Sequence, residues 1–365
     1  MSLASLGWSD ALAASFHSHA AAGLTPARVA LQHKHAYEVL LDSAAGALTA
    51  TCTGKLLHTA GPRSALPAVG DWVALRVRPQ EAHADIHAVL PRRTTFSRRA
   101  PGESGDEQIV ATNIDTVFLV TALDQNYNLR RIERYLAVAW ESGAQPVVLL
   151  NKADLHPDAA AARAEVEAIA ATAPVVAVSA LHDASSTLTA LAPWLIPGHT
   201  LALLGSSGVG KSTLINALLG TERQLTGGIS DAVGKGRHTT THRELIVAPA
   251  GWIVVDTPGM RELQLWDTPD TALDATFSDV AALAAHCRFS DCAHRGEPGC
   301  AIQAALDAGT LDFDRWQSFQ KLQREQAYAA RKSDPRLARA RQAEWKKIHR
   351  QHRADNRSLR EFPNL

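Results

Sequence analysis

The chain has 365 residues, more than one ordinary hydrophobic core organises, so two or three domains are expected. Apolar residues make up 46% and charged residues 20%, which describes a soluble globular protein and excludes a disordered one. The net charge is zero but uneven: from Arg315 onward 14 Lys/Arg face 5 Asp/Glu, a pattern that suits either an anionic partner or a solvated helical face.

No positive charge precedes Arg28 and no long apolar run follows, so neither a signal peptide nor a transmembrane span is expected. Residues 1–26 are Ala-rich, with Leu6, Trp8, Leu12 and Phe16 at helix-like spacing, and predict a short helix packed on another element. Residues 27–98 change character. Short runs at Val29–Leu31, Tyr37–Leu41, Ala47–Thr51, Trp72–Val77 and Ile86–Leu90 are punctuated by Gly and Pro. Five short strands in so few residues predict a small β-barrel of the OB type. His33, Lys34, His35, Lys55, Arg92, Arg93, Arg98 and Arg99 give it basic loops and a basic exit. No exposed aromatic pair for base stacking is evident, so nucleic-acid binding by the barrel stays open here. Cys52 reads as a buried barrel residue.

Residues 99–110 are polar and Gly-containing and read as a linker. Over 111–270 the pattern becomes an α/β alternation. Strands are predicted at Ile114–Thr121, Pro146–Leu150, Val175–Val178, Thr200–Leu204, Leu245–Ala248 and Trp252–Val255, with helices over Leu129–Trp140 and Ala159–Ala170.

Gly205-Ser206-Ser207-Gly208-Val209-Gly210-Lys211-Ser212-Thr213 matches the phosphate-binding pattern G-x-x-x-x-G-K-[ST]. Its glycines permit a tight wrap that turns backbone N–H groups toward a phosphate, and the following helix contributes its N-terminus. Lys211 can reach the outer phosphates, and Ser212 can ligate Mg²⁺. Asn151-Lys152-Ala153-Asp154, at the end of a predicted strand, is an NKxD box. Asp154 can accept from N1–H and the exocyclic amine of guanine, a donor pair that adenine lacks. Lys152 can lie along the base, and Asn151 can tie neighbouring loops together. Ser179-Ala180 suits the companion loop, whose N–H would meet guanine O6. Asp256-Thr257-Pro258-Gly259 offers a carboxylate for the Mg²⁺ shell and a Gly259 N–H for the γ-phosphate. The stretch Gly236–Thr241 offers a switch threonine: Thr240 is assigned, with Thr239 and Thr241 as alternatives. GTP or GDP with Mg²⁺ is the expected ligand.

The order is inverted, since the NKxD and Ser-Ala segments precede the phosphate loop. Joining the old ends through Trp194–His199 and opening new ones after the DTPG box preserves the sheet, so a circular permutation is expected. Residues 271–365 then carry Cys287-x4-Cys292-x-His294-x5-Cys300, which suits one closed, structural Zn²⁺ site in the reducing cytosol. His286 is a second candidate ligand, less well spaced than His294. Beyond Cys300 the chain reads as helical, with Trp316, Phe319 and Leu322 at three-residue spacing. A break follows at Ser333-Asp334-Pro335, and then a basic helix carrying Arg339, Arg341, Lys346, Lys347, Arg350 and Arg353.

Together, the barrel, the permuted NKxD and GxxxxGKS order, the C-x4-C-x-H-x5-C spacing and the basic tail resemble the RsgA/YjeQ ribosome-assembly GTPases. The resemblance implies a multi-domain α/β protein: OB-type barrel, circularly permuted GTPase domain, helical zinc domain. It further implies a cytoplasmic GTPase of late small-subunit maturation, stimulated by the small ribosomal subunit and contacting rRNA through its barrel and zinc domain. A monomer without a membrane partner is expected. The alternative is an RNA-binding zinc scaffold that uses guanine nucleotide only as a ligand switch; intact Lys211, Ser212 and Asp256 favour the enzyme. Met260 stands where many GTPases place a glutamine that orients the attacking water, so slow intrinsic hydrolysis is expected, with His238 as the substitute candidate.

Overall fold

Five short strands close on themselves near the N-terminus of the computed structural model, which describes residues 2–42, 46–99, 107–125, 127–220, 244–256 and 270–333. They are β1 (Thr25–Gln32), β2 (Tyr37–Leu40), β3 (Ala47–Cys52), β4 (Trp72–Arg78) and β5 (His83–Val89). Antiparallel pairs β1–β2, β2–β3, β4–β5 and β1–β4 and the parallel pair β3–β5 leave no open edge in the ring. Inward positions alternate along each strand, so Ala27, Val29, Val39, Ala50, Val73, Leu75, Ala84 and Ile86 fill the barrel. This is the expected OB-type barrel, with each strand within a few residues of its predicted place.

The first helix, α1 (Asp10–Ala21), is capped by Ser9, whose side chain accepts from Leu12 N–H. Trp8 packs edge-on against Trp72 of β4 at 4.7 Å and against Phe16 at 5.8 Å, fastening the N-terminal segment to the barrel. A short α2 (Gly54–Thr59) bridges β3 and β4.

The polar stretch read as a linker carries strand at both ends. β6 (Thr95–Arg99) pairs antiparallel with β7 (Glu107–Thr112); residues 100–106 lie outside the described ones. The missed signal is Ile109-Val110-Ala111, whose apolar side chains are buried. The basic exit also has a structural use. Arg92 donates to both carboxylate oxygens of fully buried Asp71 at 2.9 and 2.7 Å, and Arg93 pairs with Asp115. Arg28 is buried, donates to the carbonyls of Leu6, Gly70 and Asn113, and lies over the Trp72 ring. Burial pulls its guanidinium down to about 10.

The second unit is a doubly covered sheet. β8 (Thr116–Ala122), β9 (Gln145–Asn151), β10 (Val175–Ala177), β11 (Thr200–Leu204), β12 (Glu244–Val247) and β13 (Ile253–Asp256) lie in the order β10-β9-β8-β11-β13-β12. All pairs are parallel except β12–β13. Strand β8 shows why both faces are covered: Val117 and Leu119 join one core cluster, Phe118, Val120 and Ala122 the other. Helices α3 (Leu129–Ser142) and α4 (Ala159–Ile169) cover the first face through Ile132, Leu136, Ala162 and Val166. The opposite face is covered by α5 (Ala184–Leu191) and α6 (Lys211–Leu219) through Leu191, Leu214, Ile215 and Leu218. From β8 the chain runs outward to β10, then crosses to β11 on the other side. That reversal between β8 and β11 creates a crevice at the carboxyl ends of the parallel strands, where open α/β sheets bind ligands.

The third unit contains α7 (Asp270–Thr276), α8 (Ser278–Ala284), α9 (Ala301–Asp307) and α10 (Phe313–Ser333). Its Leu273, Phe277, Val280, Ile302, Trp316 and Leu322 share the core cluster that holds Ile132 and Leu136 of α3. Among the described residues no helix is long and apolar enough to cross a membrane.

Candidate guanine-nucleotide site and metal centre

Three loops converge at the carboxyl edge of the parallel strands. One leaves β11 and runs through Gly205–Gly210 into α6. Gly205 sits against β8, where an added Cβ would come within 2.3 Å of Val120 O. Gly208 and Gly210 adopt φ of +81° and +93°, a region that L side chains rarely occupy. Lys211 opens α6 and donates from Nζ to Gly205 O at 2.7 Å and Ser206 O at 2.6 Å. Ser212 and Thr213 follow in the first helical turn, at the positive end of the helix dipole.

The second loop leaves β9. Asn151 is buried, and its side chain spans all three loops. Nδ2 donates to Val209 O at 2.9 Å, and Oδ1 accepts from Ala180 N–H at 3.2 Å. Lys152 adopts a left-handed φ of +59° and donates from Nζ to Gly208 O at 2.9 Å and Asp124 Oδ2 at 2.8 Å. Ala153 N–H donates to Val178 O, and Asp154 N–H donates to Ser179 Oγ at 3.2 Å. His182 Nε2 lies 3.5 Å from Asp154 Oδ2. The third loop, after β10, thus holds Ser179 and Ala180 against the NKAD turn. Asp256 closes β13 at the same edge.

Two participants were missed in the sequence. Asp124 lies just past β8, on the carboxyl edge, and that end-of-strand position was the available signal. Arg131 of α3 donates to Ser206 Oγ at 3.2 Å, and nothing local in the sequence marks it. Thr240, His238 and Gly259 lie outside the described residues.

The second site lies between α8 and α9. The ligand atoms of Cys287, Cys292, His294 and Cys300 all lie within 4.8 Å of one another. His294 Nδ1 is 3.6 Å from Cys287 Sγ and 3.5 Å from Cys300 Sγ. Tetrahedral bonds to zinc of about 2.0–2.3 Å put neighbouring ligand atoms about 3.5 Å apart, so this donor set fits that ion. His286 turns elsewhere: its Nδ1 donates to Ala282 O at 2.8 Å. Burial would raise the Cys287 thiol, but N–H groups of Ala301 and Ile302 in the first turn of α9, together with the Cys292 and Cys300 side chains, hold it below its ordinary range. Glu297 accepts from Ala293 and Arg295 N–H groups and tightens the loop. The His294 ring meets Trp316 edge-on at 5.7 Å, joining the cluster to α10.

Residues 89–266 match the family model described as RsgA GTPase. The small ribosomal subunit biogenesis GTPase RsgA of Opitutus terrae is 62% identical over 365 residues, which cover 98% of each chain. The protein of the same name from Syntrophotalea carbinolica is 45% identical, with 96% of this chain and 97% of the relative covered. Among solved structures, YjeQ from Thermotoga maritima superposes with a TM-score of 0.61 at 26% identity, covering 83% of this chain and 98% of that one. YloQ, titled a circularly permuted GTPase, shares the fold with a TM-score of 0.59 at 22% identity, over 83% and 95% of the two chains. The chain belongs to the RsgA GTPase family.

Proposed function

We propose that this RsgA-family GTPase binds the small ribosomal subunit and hydrolyses GTP to time a late step of its maturation. The observation that carries the reading is the reach of Asn151, which joins the base-side loop, the Ser-Ala loop and the phosphate loop on one strand edge. In this reading Asp154 recognises guanine, Lys152 lies along it, and the N–H of Ala180 meets O6. The N–H groups of residues 205–213 and the Lys211 ammonium hold the phosphates. Ser212 and Asp256, with Thr240, would hold Mg²⁺, which neutralises charge developing on the phosphates. Gly259 N–H and His238 complete the γ-phosphate side.

The Cys287, Cys292, His294 and Cys300 set would hold one structural Zn²⁺ that keeps the loop between α8 and α9 folded. Residues 27–98, 111–270 and 271–365 are the barrel, nucleotide and zinc domains, and the barrel and zinc domain contact rRNA. The protein works in the cytoplasm as a monomer. The names of its relatives support the ribosomal partner. GTP turnover measured with and without purified small subunits tests the reading: stimulation supports it, and absence of any turnover favours a binding scaffold.

A further inference from the structure

Helix α3 touches the phosphate loop on one side and the zinc-side helices on the other. Arg131 donates to Ser206 Oγ at 3.2 Å. Arg130, Glu133 and Arg134, at positions i, i+3 and i+4, meet the segment that runs from Asp312 to Glu325. Glu133 is fully buried, and its Oε1 accepts from Arg130 at 2.7 Å and from Arg315 of α10 at 2.8 Å. Its other oxygen, Oε2, is buried without a hydrogen-bond partner among the described residues, so the two arginines carry its neutralisation. Arg315 also binds both oxygens of Asp279 on α8 at 2.6 Å and the Thr276 carbonyl at 3.1 Å, and covers the Phe277 ring. Arg130 reaches Asp312 at 2.9 Å, and Arg134 reaches Glu325 at 2.8 Å. The metal cluster adjoins the same helix, because the His294 ring packs on Trp316, next to Arg315.

A buried carboxylate fixed by two guanidinium groups has little freedom to slide, since losing either partner leaves charge exposed to a low dielectric. A displacement of α10 against the sheet is therefore passed to α3 as a rigid element. On α3, Arg131 meets the phosphate loop at Ser206, the position that follows Gly205. We propose that Arg131 is a positioning residue for the phosphate loop, and that α3 transmits docking at the zinc segment to that loop. This rests on the reading that small subunits stimulate GTP hydrolysis. The transmitted effect is bounded by the difference in partner affinity between the two loop arrangements.

The test uses the full chain and the variants Arg131→Ala, Arg131→Lys and Ser206→Ala. Hydrogen exchange of the peptide spanning 205–212, read without subunits, reports loop order. Arg131→Ala should speed that exchange, and Arg131→Lys should restore part of the protection, because one donor suffices for this bond. With small subunits present, Arg131→Ala should lower stimulated kcat on the order of tenfold. The KM for GTP should move by less than about threefold, and subunit binding should persist. On a Ser206→Ala background, Arg131→Ala should speed exchange by less than it does in the wild-type chain, as expected where the two side chains share a contact. Unchanged exchange in Arg131→Ala would overturn the positioning role. Altered exchange with full stimulation would overturn the transmission. A wild-type protein that subunits do not stimulate would refute the functional reading and the transmission, while the exchange comparison still decides the role of Arg131.

Discussion

A Cβ on Gly210 would stand 2.4 Å from Nδ2 of Asn151, so the base-side loop and the phosphate loop interlock with no room for a side chain between them. The left-handed φ of +93° at Gly210 adds a second reason for glycine there. Gly210→Ala should cost about 1–2 kcal/mol for the backbone alone. It should also push Asn151 out of place. The expected outcome is at least about a tenfold loss of GDP affinity by fluorescent-nucleotide titration, equivalent to about 1.4 kcal/mol. Wild-type affinity would show that the interlock has no functional weight.

Asn151→Ala removes the other half of the lock. Val209 O loses its Asn151 donor and Ala180 N–H loses its Asn151 acceptor, both in buried surroundings. Leaving buried polar groups unpaired costs about 1–3 kcal/mol each. Weaker GDP and GTP binding is expected, with faster exchange in the 205–212 peptide and the far-ultraviolet spectrum of the folded chain retained. A variant that binds nucleotide within twofold of wild type would remove Asn151 from the site.

Base selectivity should reside in Asp154, whose N–H is anchored on Ser179 Oγ and whose carboxylate approaches His182. In Asp154→Asn one acceptor becomes a donor. GTP affinity should fall by at least about a hundredfold, since a site built around specific hydrogen bonds rejects a mismatched partner strongly. Xanthosine triphosphate, with an oxygen at position 2, should bind better than GTP. Undiminished GTP affinity would end the assignment.

Much of this was legible because the site lies where short motifs meet strand ends. Gly205–Lys211 and Asn151–Asp154 are contiguous segments that the fold brings into contact, and the runs beside them name the strands. The barrel was legible through alternation, as at Val73 and Leu75, both fully buried. Strand β7 was not, because three apolar residues at the end of a polar stretch are too few to outweigh the Gly and Glu before them. The electrostatic ties were least visible. Arg92 reads as a basic-surface residue until Asp71 is found beneath it. Arg131 meets Ser206, and Glu133 meets Arg315, through long-range packing, which no periodicity encodes.

Zinc should govern the stability of the segment between α8 and α9. Cys300 is buried and also caps α9, accepting from Gln303 N–H. Metal analysis of the purified chain should find one Zn²⁺. Cys300→Ser should lower metal content, and Tm should fall by at least about 5 °C, given shifts of about 2–4 °C per kcal/mol for units of this size. His286→Ala should leave metal content intact, because that ring is engaged with Ala282 O. A metal-free wild-type chain of equal stability would refute the site, and loss of zinc in His286→Ala would reassign its fourth ligand.

Hydrolysis needs a group that aligns water, and the residue after Gly259 is Met260, which has no donor or strong acceptor. The free protein is therefore expected to turn over slowly. His238, in the Gly236–Thr241 stretch that offers the switch threonine, is the candidate for that task. The chain after Asp256 leads into the helices that flank the Cys287, Cys292, His294 and Cys300 cluster, so a partner docked on those helices would have a covalent as well as a packed route to the chain that follows β13. His238→Ala should retain GTP binding while lowering subunit-stimulated turnover by about 10²–10⁴-fold if the ring acts as general base, and less if it only orients water. Single-turnover kinetics with saturating subunits separate chemistry from product release. Rapid hydrolysis by the free protein, unchanged by subunits, would overturn the trigger. Full stimulated turnover in His238→Ala would leave the trigger standing and remove the histidine from it.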